Sequence, residues 1–371
     1  MNLSYWEYKS WLSNIDFTIV GSGIVGLNCA LALREEYPHA RILVLEKGTL
    51  PEGASTKNAG FACFGSISEV LSDLKSHSEE EVFQLVQKRW KGIQLLRKNL
   101  GDDSLDFQQH GGHELFIEGN SALYHECIAR LEEVNGLLNP VFGSDPFKLQ
   151  SNRYAFKGIK EHYITHIHEA QIDTGKMMQG LLKLALSKGI SILNAITVKD
   201  YQSLSDVVEI KTNAFTFKTS KLFIATNGFA PQLLKEQVVP ARAQVLVTKP
   251  IPNLHIRGTF HLDEGYYYFR NIDNRILLGG GRNLDFKGEE TYEHGQTPLI
   301  QDRLQKMLSD VILPKVPFEI ERRWSGIMGV GKIKKPILKQ LSNNVYCGVR
   351  LGGMGVAIGS QVGEDLANLT V

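Results

Sequence analysis

Phe17-Thr18-Ile19-Val20-Gly21-Ser22-Gly23-Ile24-Val25-Gly26 is the stretch whose reading decides the fold. A short β-rich run meets a glycine pattern with GxGxxG spacing. Leu27 to Glu36 then has helical composition and is closed by Pro38. A second strand comes next, Arg41-Ile42-Leu43-Val44-Leu45, and it ends in Glu46. Each piece has a task in a dinucleotide site. Gly21 permits the tight turn, Gly23 lets a pyrophosphate approach the backbone, and Gly26 lets the helix pack closely on the sheet. Ile24 and Val25 open that helix, whose free N–H groups and positive dipole end face the phosphates. Glu46 lies about 20 residues beyond Gly26, where a carboxylate can accept hydrogen bonds from a ribose diol. A glycine turn in an ordinary βαβ unit is the bland alternative. The acid-tipped second strand favours dinucleotide binding.

The segment after that strand separates a flavin from a nicotinamide nucleotide. Glu46-Lys47-Gly48 leads into Gly53-Ala54-Ser55-Thr56-Lys57-Asn58-Ala59-Gly60-Phe61. This small, polar, glycine-punctuated segment can lay its backbone along a ribityl chain and a flavin ring. A nicotinamide domain normally runs straight into its next helix and strand. The alternative is a solvated loop.

The chain has 371 residues, which suggests two domains or one with insertions. Lys plus Arg is 41 against 40 for Asp plus Glu, so no charge imbalance advertises a nucleic-acid or anionic-membrane partner. The cysteines Cys29, Cys63, Cys127 and Cys347 are widely separated, with no CxxC or Cys/His cluster. No metal site and no disulfide framework is therefore expected, and a reducing cytoplasm fits. Met1 to Asn14 lacks the basic start and apolar run of a signal peptide. No apolar stretch approaches the roughly 18 residues of a membrane span.

Further along, Ser78-Glu79-Glu80-Glu81 is a capping-box start for a helix reaching about Asn99. Gly112 to Ile117 reads as a strand, and Leu123, Cys127, Leu131, Val134 and Leu138 recur at helical spacing. Asp173 or Thr174 caps a helix ended by Gly189. Strands are expected over Ile190–Val198, around Val207–Lys211 and Ala214–Lys218, and over Leu222–Thr226, which breaks at Asn227-Gly228. Val238–Thr248 and Tyr266–Gly280 read as antiparallel strands, with Tyr266, Tyr268 and Arg270 on one face by alternation. Thr297 caps a helix with Pro298 at its first position. The chain closes with a strand at Val345–Gly348, the turn Gly352-Gly353-Met354-Gly355, and a helix through Val362 and Leu366. This order predicts an α/β (α+β) fold: a Rossmann-like domain with a central parallel sheet, and a substrate domain built on an antiparallel sheet. Residues 1–80, 156–236 and 319–371 are assigned to the first, and 81–155 and 237–318 to the second.

In this order the pattern resembles the FAD-dependent family of D-amino-acid oxidase, glycine oxidase and sarcosine oxidase, nearest the branch that includes gamma-glutamylputrescine oxidoreductase. The residues that carry the resemblance are Ile19–Gly26, Val44–Gly48, Gly53–Ser55 with Asn58–Gly60, and Leu222–Gly228. Tyr268–Arg270 with Leu278–Gly281, Arg323–Gly329 and Gly352–Val356 complete them. The resemblance implies oxidation of a C–N bond of an amine or amino acid by hydride transfer to flavin, the imine then hydrolysing. It implies cofactor contacts from Gly21, Gly23, Ile24, Val25, Gly26, Glu46, Lys47, Ala54, Ser55, Asn58, Ala59, Gly60 and Phe61. Val198 (to adenine), Thr226, Asn227, Gly228, Trp324, Gly326, Arg350, Gly352, Gly353, Met354 and Gly355 extend the set. No cysteine stands in the segment 324–331, so FAD is expected to be non-covalent. Met328 stands where glycine oxidase has a substrate-binding arginine. Lys334 and Lys335 precede Pro336, where the family often has an acidic residue and glycine.

Arg270, Tyr268 and Arg350 are the candidate catalytic residues, each with a structural alternative. Arg270 could hold a substrate carboxylate or form an ion pair beneath the site. Tyr266 and Tyr268 could wall the pocket or pack one sheet face. Arg350 could reach the flavin or substrate, or make a surface salt bridge. His110 and His113 could supply a base or simply pack. Cys63 reads as a small buried hydrophobe rather than a redox thiol. The electron acceptor is oxygen or another carrier. Two other readings share the cofactor fingerprint: an NAD(P)H-dependent flavin hydroxylase, and a non-catalytic FAD-binding protein.

Overall fold

The strand Ile15–Val20 runs parallel to Thr216–Ile224 on one side and to Ile42–Leu45 on the other, inside an eight-stranded sheet. Strands covered on both faces need near-continuous apolar runs, which Phe17–Val20 and Ile42–Leu45 supply. Ser191–Leu193 and Val345–Val349 extend the parallel set at its two sides. Ile337–Ser342 closes one edge antiparallel. A hairpin of Val198–Ser203 and Val208–Thr212 is added to Thr216–Ile224. The structure is a computed structural model and describes residues 2–370. Met1 and Val371, the outer limits of the expected first and last segments, lie outside the described residues.

Two strand assignments differ from the sequence reading. The run Ile190–Val198 is not one strand, because the chain turns at Ala195, whose φ of 59° takes it out of extended geometry. Conversely, the expected short strands before and through Leu222 form one nine-residue strand, Thr216–Ile224. Its first half pairs with the hairpin and its second half with the sheet centre.

The second sheet also has eight strands, in the order Ile320–Val330, Val239–Thr248, Arg275–Gly280, Tyr267–Ile272, Thr259–Leu262, Gly112–Leu115, His162–His166, Phe147–Ser151. It is antiparallel except where Gly112–Leu115 meets Thr259–Leu262 in parallel register. Such a pairing is open to segments this far apart in the chain, which no tight turn constrains. The sequence order groups His162–His166 and Ile320–Val330 with the nucleotide-binding segments, but they hydrogen-bond in this second sheet. Tyr266 falls just before its strand begins, after the turn at Gly265. Tyr268 and Arg270 do alternate along that strand.

Helices cover the first sheet. The Glu79–Leu100 helix carries the expected capping box, Ser78 with Glu81, and ends at Gly101. Asp173 caps Thr174–Ser187 through the Lys176 N–H. The periodic stretch from Leu123 to Leu138 is two helices, Ser121–Ala129 and Leu131–Phe142. Thr297 precedes Pro298 but makes no side-chain cap bond. Among the described residues no helix is long and apolar enough to cross a membrane, and no group of three or more His, Cys, Asp or Glu could hold a metal ion.

Three helices touch backbone to backbone through glycines. A Cβ at Gly26 would lie 1.9 Å from the Gly21 carbonyl oxygen, one at Gly363 would lie 2.6 Å from the Val25 oxygen, and one at Gly92 would lie 2.1 Å from the Ala357 oxygen. The Ile24–Glu36, Gly355–Asn368 and Glu79–Leu100 helices are thereby fixed at distances that no side chain permits. Gly26→Ala forces the first helix away from its strand. The expected cost is about 1–3 kcal/mol, read as a lower urea midpoint at unchanged slope. A midpoint equal to wild type would show that the contact relaxes freely.

Candidate active site

The C-terminal ends of the parallel strands converge where Gly21 N donates to Leu45 O at 2.8 Å and Ala225 N donates to Val20 O at 3.0 Å. A cavity of about 110 Å³ opens there. Gly21, Gly23, Glu46, Lys47, Ala54, Ser55, Val198, Thr226 and Asn227 line it, as do Ile196, Thr197 and Phe229, which the sequence reading did not include. Glu46 is buried. Its Oε2 accepts from Ser22 N (3.1 Å) and Ser22 Oγ (2.8 Å), and its Oε1 accepts from Gly48 N at 3.1 Å. Ser55 Oγ accepts from Ile24 N at 3.0 Å, joining the helix N-terminus to the flavin-type segment. Lys47 Nζ lies 3.5 Å from the Phe229 ring centroid.

Two observations test this crevice against a dinucleotide. Thr226 Oγ1 on the cavity wall is shut off from solvent and has no hydrogen-bond partner among the described residues. A Cβ at Gly23 would come within 2.8 Å of Ser55 Oγ. The wall thus keeps a spare polar atom and a surface bare of side chain, and both fit a bound nucleotide.

Ala54 also borders a second cavity of about 610 Å³. Three separate segments line it: Asn58, Ala59 and Phe61; Gly326 and Met328 of the second sheet; and Gly352, Gly353 and Met354. Tyr266, Tyr268, His261 and Arg282, also from the second sheet and its loops, line it too, with Arg350. A Cβ at Gly279 would lie 2.6 Å from the Tyr268 ring, so that glycine makes room for the tyrosine. Burial pushes the Tyr268 phenol up to about 12. The Phe61 ring meets His261 and Tyr268 edge-on, with centroids 5.3 and 5.6 Å away.

Eight of the expected residues line neither cavity. Ile24, Val25 and Gly26 form the first turn of the helix behind the crevice. Gly228 packs against the Met328 backbone, where its Cβ would lie 2.6 Å from a carbonyl oxygen. Gly355 begins the terminal helix. Trp324 Nε1 donates to Lys57 O at 2.9 Å and so braces the flavin-type segment. Gly60, at φ 74°, turns that segment over the Ile172 carbonyl, and a Cβ there would also lie 3.0 Å from Arg270 Nη2. Arg270 is therefore behind the segment. It is 2% exposed, and burial, only partly offset by Asp173, Asp106 and Asp273, lowers its guanidinium to about 10.

Among the described residues Arg350 makes no salt bridge. Its guanidinium donates to Lys335 O (3.1 and 2.9 Å) and to Gln237 O at 3.3 Å, and its backbone is left-handed at φ 64°. The basic loop has a partner too, since Lys334 Nζ lies 2.8 Å from Asp73 and 3.5 Å from Glu69. Glu69 also takes Arg89 Nη2 at 2.8 Å, and the same Arg89 directs Nε and Nη2 to Met354 Sδ at 3.1 and 2.8 Å. Arg89 could have been found from sequence: it falls on the buried stripe Val82, Val86, Ile93, Leu96 of its helix. His110 is exposed, and His113 is buried with Nδ1 at 2.8 Å from Thr165 Oγ1. Neither lines the cavity. Cys63 does line it, and burial raises its thiol.

Comparison with known proteins agrees with this geometry. The family model DAO, described as FAD dependent oxidoreductase, matches residues 16–369. The bifunctional protein ThiO/ThiG of Synechocystis sp. is 23% identical over 307 residues, 76% of this chain and 41% of the relative. The chain thus spans about two fifths of that relative's length. L-proline dehydrogenase from P. horikoshii superposes with a TM-score of 0.76 at 18% identity, covering 96% of this chain and 93% of the other. Glycine oxidase from Geobacillus kaustophilus does so at 0.75 and 19%, covering 96% and 94%. At these identities the two structures share the fold.

Glu46→Gln keeps the side-chain shape but removes the anionic acceptor. FAD affinity should fall roughly ten- to hundredfold, the worth of one charge-assisted bond. An unchanged dissociation constant would assign Glu46 to holding Ser22 and Gly48 alone. A Cβ at Gly353 meets no protein atom within 4 Å. Gly353→Val apoprotein should therefore unfold at the wild-type apoprotein's thermal midpoint, yet the variant should lose FAD content or shift the flavin potential. If FAD content and potential both match wild type, the Gly353 surface does not approach the ring.

Proposed function

Because the chain belongs to the family of FAD-dependent oxidoreductases, we propose that it oxidises a C–N bond of a small amine or amino acid. The observation that carries this reading is a large cavity lined by three glycine-rich segments together with aromatic and cationic side chains. Bound FAD supplies the two-electron acceptor, and it is held without a covalent link. The 15–26 and 42–58 segments hold its nucleotide half, and residues 58–61, 326–328 and 352–354 hold its ring. The sequence division into a discontinuous cofactor domain and a substrate domain is kept in altered form, with His162–His166 and Ile320–Val330 moved to the substrate side and the Glu79–Leu100 helix, which packs on the Gly355–Asn368 helix, moved to the cofactor side.

Each residue has a task in this reading. The Gly355–Asn368 helix presents unpaired N–H groups and about half a positive charge towards the cavity, opposing negative charge that develops there. Arg89 fixes Met354 at that helix terminus. Arg350 clamps the 331–336 loop to the cavity rim. Tyr268 walls the substrate space. Arg270, behind Gly60, supports the 58–61 segment, which favours the structural side of the choice left open by sequence. The cationic wall, with Arg282 and Lys332 beside Lys57, suits a substrate bearing a carboxylate. The resemblance of the motifs to the gamma-glutamylputrescine oxidoreductase branch adds polyamine derivatives to the candidates. The final acceptor is oxygen or another carrier.

The test is anaerobic mixing of the yellow enzyme with amino acids, N-methyl amino acids and polyamine derivatives. Bleaching by at least one of them is expected. Bleaching by NADPH alone would make the protein a hydroxylase, and no bleaching by either would leave a non-catalytic FAD-binding protein. Acid precipitation should release the colour into the supernatant. Colour retained in the pellet would overturn non-covalent binding.

A further inference from the structure

We propose that His261, held by Glu169, accepts the proton that a substrate ammonium must lose before its C–N bond is oxidised. The role rests on amine oxidation being the reaction. Hydride can leave the carbon only when the nitrogen lone pair is free to form the C=N bond. An amine or amino acid arrives mostly as ammonium at neutral pH, so a proton acceptor beside the ring raises the reactive fraction. In the step itself an ammonium N–H bond breaks, a bond from that proton to the imidazole forms, and the amine keeps its electron pair.

His261 lines the large cavity against the Phe61 edge. Its Nε2 lies 3.5 Å from Glu169 Oε2. Glu169 is 1% exposed, and its Oε1 is anchored by Phe64 N at 2.7 Å and Gly65 N at 3.2 Å. The backbone is shaped to admit it: a Cβ at Gly112 would lie 1.7 Å from Glu169 Oε2. A buried carboxylate anchored by two N–H groups, in a glycine-lined slot 3.5 Å from a cavity histidine, is placed to hold the imidazolium that proton transfer creates. Nε2 faces Glu169, shut off from solvent and without a hydrogen-bond partner among the described residues, so Nδ1 is the ring nitrogen left to meet the ammonium.

The surroundings set this histidine apart from its neighbours. Burial disfavours its charge, but Glu169, with Glu114 and Glu69 adding to it, holds its pKa above the usual value. Burial instead lowers His113 to about 3 and His166 to about 4, so both stay neutral. Glu114 lies opposite His261 on the neighbouring strand and is bound by Ser68; burial raises its carboxyl. Tyr268, opposite on the other side, keeps its proton. Arg89 is occupied by Glu69. His261 is then the one among these imidazoles whose charge the neighbouring carboxylates favour.

The test is the rate of flavin reduction at saturating substrate, measured against pH. In wild type the rate should rise with pH as His261 loses its proton, through an apparent pKa above about 6.5. His261→Gln should lose that limb and fall about 100-fold on the plateau. Glu169→Gln should move the limb to lower pH, since the imidazolium loses its anionic partner. A limb unmoved in His261→Gln belongs to the substrate's own ammonium and overturns the proposal. A second measurement needs no turnover: the His261 imidazole C–H signal of the holoenzyme, assigned by its loss in His261→Gln, should titrate above about 6.5. Titration below that value overturns the proposal even if Glu169→Gln does not accumulate. If no amine bleaches the wild-type flavin, the proposed function fails and this inference with it. If amines bleach it and the limb survives in His261→Gln, only this inference fails.

Discussion

The site depends on how closely three helices approach one another and the turn after the first strand. Gly26, Gly363 and Gly92 replace side-chain packing with backbone contact, and the distances involved exclude even a methyl group. Helix packing through side chains leaves about 8–10 Å between axes and tolerates repacking. Backbone contact removes that tolerance. The N-terminus of the Ile24–Glu36 helix and that of the Gly355–Asn368 helix are consequently set relative to each other and to the strand ends. Both aim their positive ends at the cavities between them.

Charge in the large cavity is organised around those helix ends. Cations dominate the wall, yet two of them are committed: Arg89 to Glu69 and Met354, and Arg350 to backbone carbonyls. The side chains left nearer solvent, Arg282 and Lys332, can answer an anionic ligand. A cavity arranged this way separates cations that hold the frame from cations that meet the ligand. Its residual positive potential draws acidic molecules in.

Much of this was legible in the residues. The strand–glycine–helix–acid order at 17–46 specified the parallel sheet and the crevice, because each of those residues is needed for a local geometric reason. The three glycine-rich segments of the large cavity were legible for the same reason. The residues that sequence reading missed act through long-range contact. His261 looks like any strand histidine until the fold brings Glu169, more than ninety positions away in sequence, beside it. Arg270 alternates with Tyr268, but only the path of residues 58–61 shows that it is walled off. Strand limits failed where a single φ, at Ala195, broke an otherwise extended run.

The first sheet has a temporal consequence. Its central strand, Ile15–Val20, is made early, but its neighbour Thr216–Ile224 and the next strand, Val345–Val349, emerge from the ribosome about two hundred and then more than three hundred residues later. The helix at 355–368, which packs on the first helix, emerges later still. The nascent chain therefore carries a half-built sheet with an open parallel edge over some three hundred residues of synthesis, a circumstance that favours aggregation of the unfinished domain. The cofactor crevice, lined from Val20 to Ile327, is completed only after that whole span has been made.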